Sequence, residues 1–221
     1  MKFVRIDETL KKKIPGYCLA VLSFEIKILP SDDKIKEALA TLEQSVMSSL
    51  TLETLLKETR IHAARSGYKA LGKDPSRYRL STESLLRRLI KEQGLYYVSN
   101  AVDIGNLISA KTRRSVAVLD ENQIQGDILI RIGKNEPYEG IGRGILNIEN
   151  LFVFRDKQGA FGTPTSDSTR TMVTETTEQF LMIFPSFAPT FELDKALQLS
   201  THYLEKYADA SNIIIETYSN N

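Results

Sequence analysis

The sequence is poor in the residues that build metal and redox centres. Cys18 is its only cysteine, so no intrachain disulfide can form and no thiolate zinc site is available. It sits in the apolar run YCLAVLSF (Tyr17 to Phe24) and reads as a small buried hydrophobe of a protein kept in a reducing compartment, with the cytoplasm as the expectation. The two histidines, His62 and His202, are far apart and fit no metal-ligand spacing, so no metal and no cofactor is expected. His202 falls on the polar side of a C-terminal helical stretch, and His62 lies in a basic one. No apolar run approaches the roughly 18 residues that cross a membrane. The start, MKFVRIDETLKKK, is charged throughout and has no signal-peptide core. No membrane partner is expected. A nucleotide cradle is missing as well. EGIGRG (Glu139 to Gly144) matches neither a P-loop nor a dinucleotide fingerprint, and its Glu139 and Arg143 either pair with each other at the surface or face a site.

Net charge is close to balanced at +1, but its distribution is not. Nine Lys/Arg fall between Arg60 and Lys91 against only Asp74 and Glu83, while the region from Glu192 is acidic. Arg65, Lys69, Lys73, Arg77 and Arg79 are therefore candidate phosphate contacts of an RNA footprint, and a solvated helix face is the alternative.

Apolar periodicity changes midway along the chain. Phe3–Ile6 reads as an edge strand, the following lysines as solvated, and Tyr17–Leu29 as a strand that ends at Pro30. Ser31 reads as the cap of a helix carrying Ile35, Ala38, Leu39, Leu42 and Val46 on one face. A second helix is expected from the Leu50–Leu56 region to about Gly67. After the break at Pro75, Ser81 is expected to cap a helix that buries Leu85, Leu86, Leu89 and Ile90, points Arg87, Arg88 and Lys91 outward, and ends at Gly94. Leu95–Val98 reads as an apolar connector. Ser99–Thr112 reads as a helix with a polar ridge of Asn100, Asp103 and Asn106. Strands are then expected at Val116–Leu119, Asp127–Ile132 and Leu151–Phe154, the last entering a hairpin at Asp156–Gly159. A strand at Met172–Phe184, a helix from Glu192 preceded by Pro189, and a short final strand at Ile213–Ile215 that then frays complete the chain. Helices first and strands later predict the α+β class: one compact domain over 1–221, helix-rich in its N-terminal half, with a mainly antiparallel or mixed sheet in its C-terminal half.

The most site-like stretch is GAFGTPTSDSTRTMVT (Gly159 to Thr174). Its glycines permit close backbone approach, and its Ser, Thr and Asp side chains bind local amides and hold irregular loops in shape. Asp167 is a candidate to orient a water. Arg170 is a candidate to hold a phosphate, unless the two simply pair with each other.

The order VDIGN (Val102 to Asn106), VLDENQIQGDILIR (Val118 to Arg131), GKNEPYEG (Gly133 to Gly140), AFGTPTS and VTETTEQFLMIFPSF (Val173 to Phe187) resembles the tRNA-binding editing domain of the β subunit of bacterial phenylalanyl-tRNA synthetase. GYKALGKDPSRYRLSTESLLRRL (Gly67 to Leu89) resembles free-standing members of that domain family, and the best-matching core is 67–187. The resemblance implies a pocket for an aminoacyl group esterified to the tRNA 3′ end; in the synthetase the domain hydrolyses a mischarged tyrosyl ester. Carried over residue by residue, Asp103 and Asn106 match the helix motif, Asp120 and Gly126 the turn and strand, and Gly162, Thr163 and Ser166 the glycine loop. Ser168, Glu139 and Arg143 join them as candidate substrate contacts. Two positions depart: Ala117 stands where the family has a histidine and Ile183 where it has a glutamate. The synthetase's catalytic and anticodon-binding parts have no counterpart here, so an aminoacylating ligase is not expected. Three functions stay open: trans-editing of mischarged aminoacyl-tRNA, a non-catalytic tRNA- or RNA-binding module, and an amino-acid-like small-molecule binder without RNA contact.

Overall fold

The computed structural model describes residues 2–187 and 193–219. Its elements run β1 Val4–Ile6, α1 Glu8–Lys13, β2 Cys18–Glu25, α2 Asp33–Ser49, α3 Leu52–Lys57, α4 Thr59–Ala70, α5 Ser81–Ile90, α6 Asn100–Thr112, β3 Ala117–Asp120, β4 Ile128–Ile132, β5 Glu139–Gly140, β6 Gly144–Ile145, β7 Phe152–Arg155, β8 Ala160–Gly162, β9 Gln179–Ser186, α7 Leu193–Ala208 and β10 Ser211–Ser219. The fold is α+β. One sheet has the order β10-β2-β9-β3, all antiparallel; another has the order β1-β4-β7-β8, with β1 and β4 parallel. Both sheets and the helices contribute to one continuous apolar core.

The apolar run of β2 is explained by its place. It lies between β10 and β9, and every residue from Cys18 to Phe24 is buried. Phe24 stacks on Phe180 of β9 at 5.3 Å. In α2, Ile35, Leu39, Leu42 and Val46 are buried, the helical stripe read from spacing. α6 packs on α2, α5, α7 and β3, so its buried set covers most of its circumference.

Several local expectations are corrected. Asp32, not Ser31, caps α2, accepting from the Ile35 amide at 2.9 Å, and the Ser31 hydroxyl instead donates to Asp103 at 2.6 Å. The lysine-rich N-terminal stretch is helical because Asp7 caps it. The single helix expected up to Gly67 is two, α3 and α4, with the Glu58 carboxylate capping the second. α5 stops at Ile90, and Glu92 takes the left-handed turn before Gly94 does. Tyr96, Tyr97 and Val98 of the expected apolar connector are exposed. The threonine-rich start of the long strand is turn: Met172 makes an isolated bridge to Leu119, Thr177 donates to Asp120 at 2.9 Å, and the strand itself begins at Gln179. β10 does not fray but pairs with β2 from Ser211 to Ser219. Pro189 and Glu192 lie outside the described residues.

Ser81 does not cap α5 either. Leu80 holds the N-cap position without a side-chain bond, and the Ser81 amide donates to the Pro164 carbonyl at 2.8 Å. The helix is anchored electrostatically one residue pair later. The Glu83 carboxylate is fully buried and meets Arg65 at 2.9 Å, Arg87 at 2.9 Å and Arg79 at 3.5 Å. Arg87, expected to point outward, thus folds back by one helical turn. A buried carboxylate is tolerated only with such partners. Glu83→Gln keeps the shape and leaves three guanidiniums uncompensated. We expect a loss of about 3 kcal/mol in denaturant unfolding, the low end for a broken buried pair because the arginines keep some water contact.

Candidate functional site

The loop after β8 is shaped by one threonine. Thr163 Oγ1 accepts from the amides of Thr165 at 3.1 Å and Ser166 at 3.0 Å, and donates to the Ser166 carbonyl at 3.0 Å. Two buried phenols hold the loop from outside: Tyr138 donates to the Ser166 carbonyl at 2.6 Å, and Tyr68 of α4 shares a 3.0 Å hydrogen bond with the Thr165 hydroxyl. Burial pushes both phenols far up, so they stay protonated as donors. Gly162 is required by packing rather than by φ. A Cβ there would lie 2.7 Å from the Phe154 ring and 3.3 Å from the Asp167 carboxyl.

This loop closes one side of a pocket of about 320 Å³. The first turns of α5 supply Ser81, Ser84 and Leu85, and α6 supplies Asn106 and Ser109. Ser115, Val116 and Ala117 enter from the start of β3, Ile141 and Arg143 from the glycine hairpin. Thr163, Ser166 and Asp167 complete the wall from the loop. Five sequence-derived candidates, Asn106, Arg143, Thr163, Ser166 and Asp167, therefore share one cavity. Ala117 lines it too. Ile183 is paired with Ala117 across β3 and β9 but is wholly buried and does not line the pocket. The serines at 81, 84, 109 and 115 were not legible as site residues: the first two, at a helix start, read first as caps, and the other two are brought to the cavity only by the packing of α6 and β3.

Asp167 is the chemically distinctive group. Part of its surface opens to the pocket while protein surrounds its carboxyl. Burial pushes its pKa up to about 8 against the opposing hydrogen bond from the Val118 amide. The pairing with Arg170 is not made. Arg170 instead clamps Asp156 with two bonds, 2.9 and 3.1 Å, and also donates to the Gln123 carbonyl at 3.0 Å. Burial pushes Asp156 up, but the amide of Gln125 and the Arg170 guanidinium outweigh it and hold that carboxyl below its ordinary range. Arg170 thus ties the loop down from behind and does not line the pocket.

The remaining candidates fall elsewhere. Asp103 is buried at the start of α6, accepting from the Ser31 hydroxyl and from the Val98 amide at 3.1 and 3.2 Å. Burial raises its pKa, opposed by those two donors. Gly126 turns the chain at φ +76° against Lys157. Glu139 is exposed and sits 3.5 Å from the Thr169 hydroxyl. Ser168 is buried and caps the turn that carries Arg170. Of the basic block, Arg65 and Arg79 are held by Glu83, and Lys73 donates to the carbonyls of Asn147 and Glu149 at 3.0 and 2.5 Å. Lys69 and Arg77 remain exposed. Among the described residues no group of three or more His, Cys, Asp or Glu is placed to hold a metal.

The sign of the Asp167 shift sets a pH dependence. Its folded pKa lies above the unfolded value of about 3.9, so the folded state holds an extra proton in between. That contribution to stability is complete below about pH 4 and is lost as pH rises through about 8. Asp167→Asn should flatten this part of the stability profile between pH 5 and 8, read by thermal or urea unfolding at each pH as about a one-proton change in slope. An unchanged slope would show that the carboxyl is solvated in the folded protein.

No curated protein matches this sequence. Among solved structures, an N-terminal fragment of the phenylalanyl-tRNA synthetase β-subunit from Pyrococcus horikoshii is similar over 96% of this chain and 50% of its own, at 14% identity and a TM-score of 0.47. The chain thus spans about half the length of that fragment. The family description B3/4 domain matches residues 63–213, more than half of the sequence and all of the pocket's walls. The chain belongs to the B3/4 domain family.

Proposed function

We propose that the protein recognises the aminoacyl end of a tRNA and hydrolyses its ester bond. The observation that carries this reading is the 320 Å³ pocket in which a desolvated Asp167 faces Asn106, Arg143 and a ring of hydroxyls. Its size and mixed lining suit an amino-acid side chain held by its polar end. The larger hollow of about 720 Å³ on the opposite strand ends sets Glu25, Glu175, Glu178 and Asp209 against one cation, Lys27, and would repel a polyanion. The family resemblance supplies the substrate class, and the chemistry follows from these residues.

Ester hydrolysis needs an activated water and a stabilised oxyanion. In its ionised form Asp167 accepts a proton from a water in the pocket, and its raised pKa makes it a stronger base than an ordinary carboxylate. The loop amides are a poor oxyanion hole: those of Thr165 and Ser166 donate to Thr163, that of Thr163 donates to Ser166, and that of Ser168 to Phe161. Arg143 and Asn106 are the donors left to meet developing negative charge. Without the family's histidine and glutamate, Asp167 takes the role of base.

The RNA path follows α5. Ser81, Ser84 and Leu85 line the pocket, and the same helix face continues one turn on to Arg88. The Arg88 guanidinium lies 4.4 Å from the centre of the Tyr96 ring, and Tyr96 and Tyr97 are 73% and 56% exposed. Exposed aromatics beside Arg88 and Lys91 form a stacking surface for unpaired bases. The internal use of Arg65, Lys73 and Arg79 favours a second reading, in which an amino-acid ester is bound without RNA.

The test is hydrolysis of a panel of mischarged aminoacyl-tRNAs beside the matching small amino-acid esters. Asp167→Asn should lower kcat by about 10²-fold, the usual worth of a positioned base. The wild-type rate should rise with pH through about 8 as Asp167 ionises. Tyr96→Ala should raise KM for the tRNA substrates and leave the small esters unchanged; equal effects on both, or none, would select the RNA-free reading. No turnover of any substrate above buffer would overturn the hydrolase reading.

A further inference from the structure

Behind the Asp167 pocket the structure carries a second polar feature that the proposed hydrolysis does not use. α6 ends on Arg113, which sits at the C-cap in the left-handed conformation, φ +57°. Glycine is the residue that adopts this conformation without cost, so a long charged side chain is held there against backbone preference. The next residue, Arg114, is 6% exposed. Its backbone is locked by Ser109, whose hydroxyl donates to the Arg114 carbonyl at 2.7 Å. One guanidinium nitrogen donates to the Ser186 hydroxyl at 2.8 Å, and its buried Nε has no hydrogen-bond partner.

Arg113 and Arg114 line one narrow crevice together with Arg60 at the start of α4, between the first turn of α5 and the end of β9. Among the described residues, no carboxylate lies within ion-pair distance of Arg113 or Arg114, and Glu58 is paired with Arg60 at 2.9 Å. Burial disfavours the charged form of the two consecutive guanidiniums; the Glu58 carboxylate opposes this and the neighbouring Arg60 charge adds to it. The Cys18 thiol beside them does not compensate, since burial pushes it up and keeps it neutral. A guanidinium buried as Arg114 is, with no ion pair of its own, is costly, and an orphaned N–H is a donor without an acceptor.

We propose that Arg113 and Arg114, with Arg60 at the rim, form a binding site for a phosphate group next to the Asp167 pocket. The crevice measures about 10 Å³, room for one oxygen, and the rest of the tetrahedron sits at the mouth, where Arg60 and Arg113 are half-exposed. Guanidinium forks match phosphate oxygens in pairs. Ser115 and Pro185 line both the crevice and the pocket. Around the first turn of α5, Ser81 and Ser84 face the pocket and Leu80 and Thr82 face the crevice. A ligand with an acyl group in the pocket and a phosphate one wall away spans both. A nucleotide end bearing an aminoacyl ester has that form; this choice of source rests on the function proposed above, while the site itself does not.

Two measurements test it. Inorganic phosphate is titrated calorimetrically against the full chain at constant ionic strength in chloride. Wild type should bind saturably, and Arg113→Gln and Arg114→Gln should each weaken binding about tenfold or more, the worth of a charge-assisted hydrogen bond. Arg113→Gln is the safer variant because its side chain is half-exposed, and its far-UV spectrum and melting curve verify the fold. Heats that are equal in wild type and a folded Arg113→Gln overturn the site. The source is then read by comparing aminoacyl esters of adenosine and of cytidylyl-(3′,5′)-adenosine, which differ by one bridging phosphate and its nucleoside. Wild type should prefer the dinucleotide about tenfold in kcat/KM, and Arg113→Gln should lose that preference while still turning over the adenosine ester. Saturable phosphate binding without this preference supports the site with a free phosphate as its occupant. Phosphate binding with no ester turnover at all overturns the hydrolase reading and leaves the site standing.

Discussion

A carboxylate with no access to water, held among three arginines, is the constraint from which the rest of the site follows. Glu83 fixes α5 against α4 and the 75–79 segment through Arg65 and Arg79, and Arg87 closes the cluster from its own helix. With α5 in place, the Ser81 amide meets the Pro164 carbonyl and sets the height of the Thr163 loop. That loop in turn presents Asp167 to the cavity between α5, α6 and β3. Three of the nine basic residues in this part of the chain thus serve to seat a helix. Lys73 extends the same logic to the far side, where its ammonium satisfies two carbonyls of the 147–149 turn.

Two aspartates eleven residues apart show how environment divides chemically identical groups. Asp156 receives amides from Gln125, Gln158 and Gly159 together with both arms of Arg170, and stays ionised as a structural knot. Asp167 receives one amide and no cation, and holds its proton into the physiological range. A split of this kind within one small region is the pattern by which acid–base groups are separated from scaffolding ones. Arg114 is the same argument with the sign reversed, a buried cation with an unmet donor beside the Asp167 pocket.

Much of the fold was legible from periodicity. The buried stripe of α2, the extent of α6, the Asp156–Gly159 hairpin and the apolar β2 and β9 all follow from local patterns that tertiary contacts reinforce. The misses share a cause. Caps at Ser31 and Ser81 were inferred from residue type, but a hydroxyl donates wherever the closest acceptor lies, and for Ser31 that is Asp103, far along the chain. The short final strand read at Ile213–Ile215 runs instead from Ser211 to Ser219, because the neighbouring edge of β2 gives it a partner along that length.

The sequence by itself determined the class of fold and excluded an intrachain disulfide. These depend on residue identity and on spacing within one element, both local properties. Which of the charged residues would be free to act was decided only by tertiary structure. Asp167 and Arg170 are three positions apart and pair on paper, yet Arg170 reaches Asp156 and leaves Asp167 to the pocket. Five basic residues read as one footprint, yet three of them meet buried or backbone acceptors from other segments. Coulombic and hydrogen-bond energies depend on distance and burial in three dimensions, and neither is encoded in the separation along the chain.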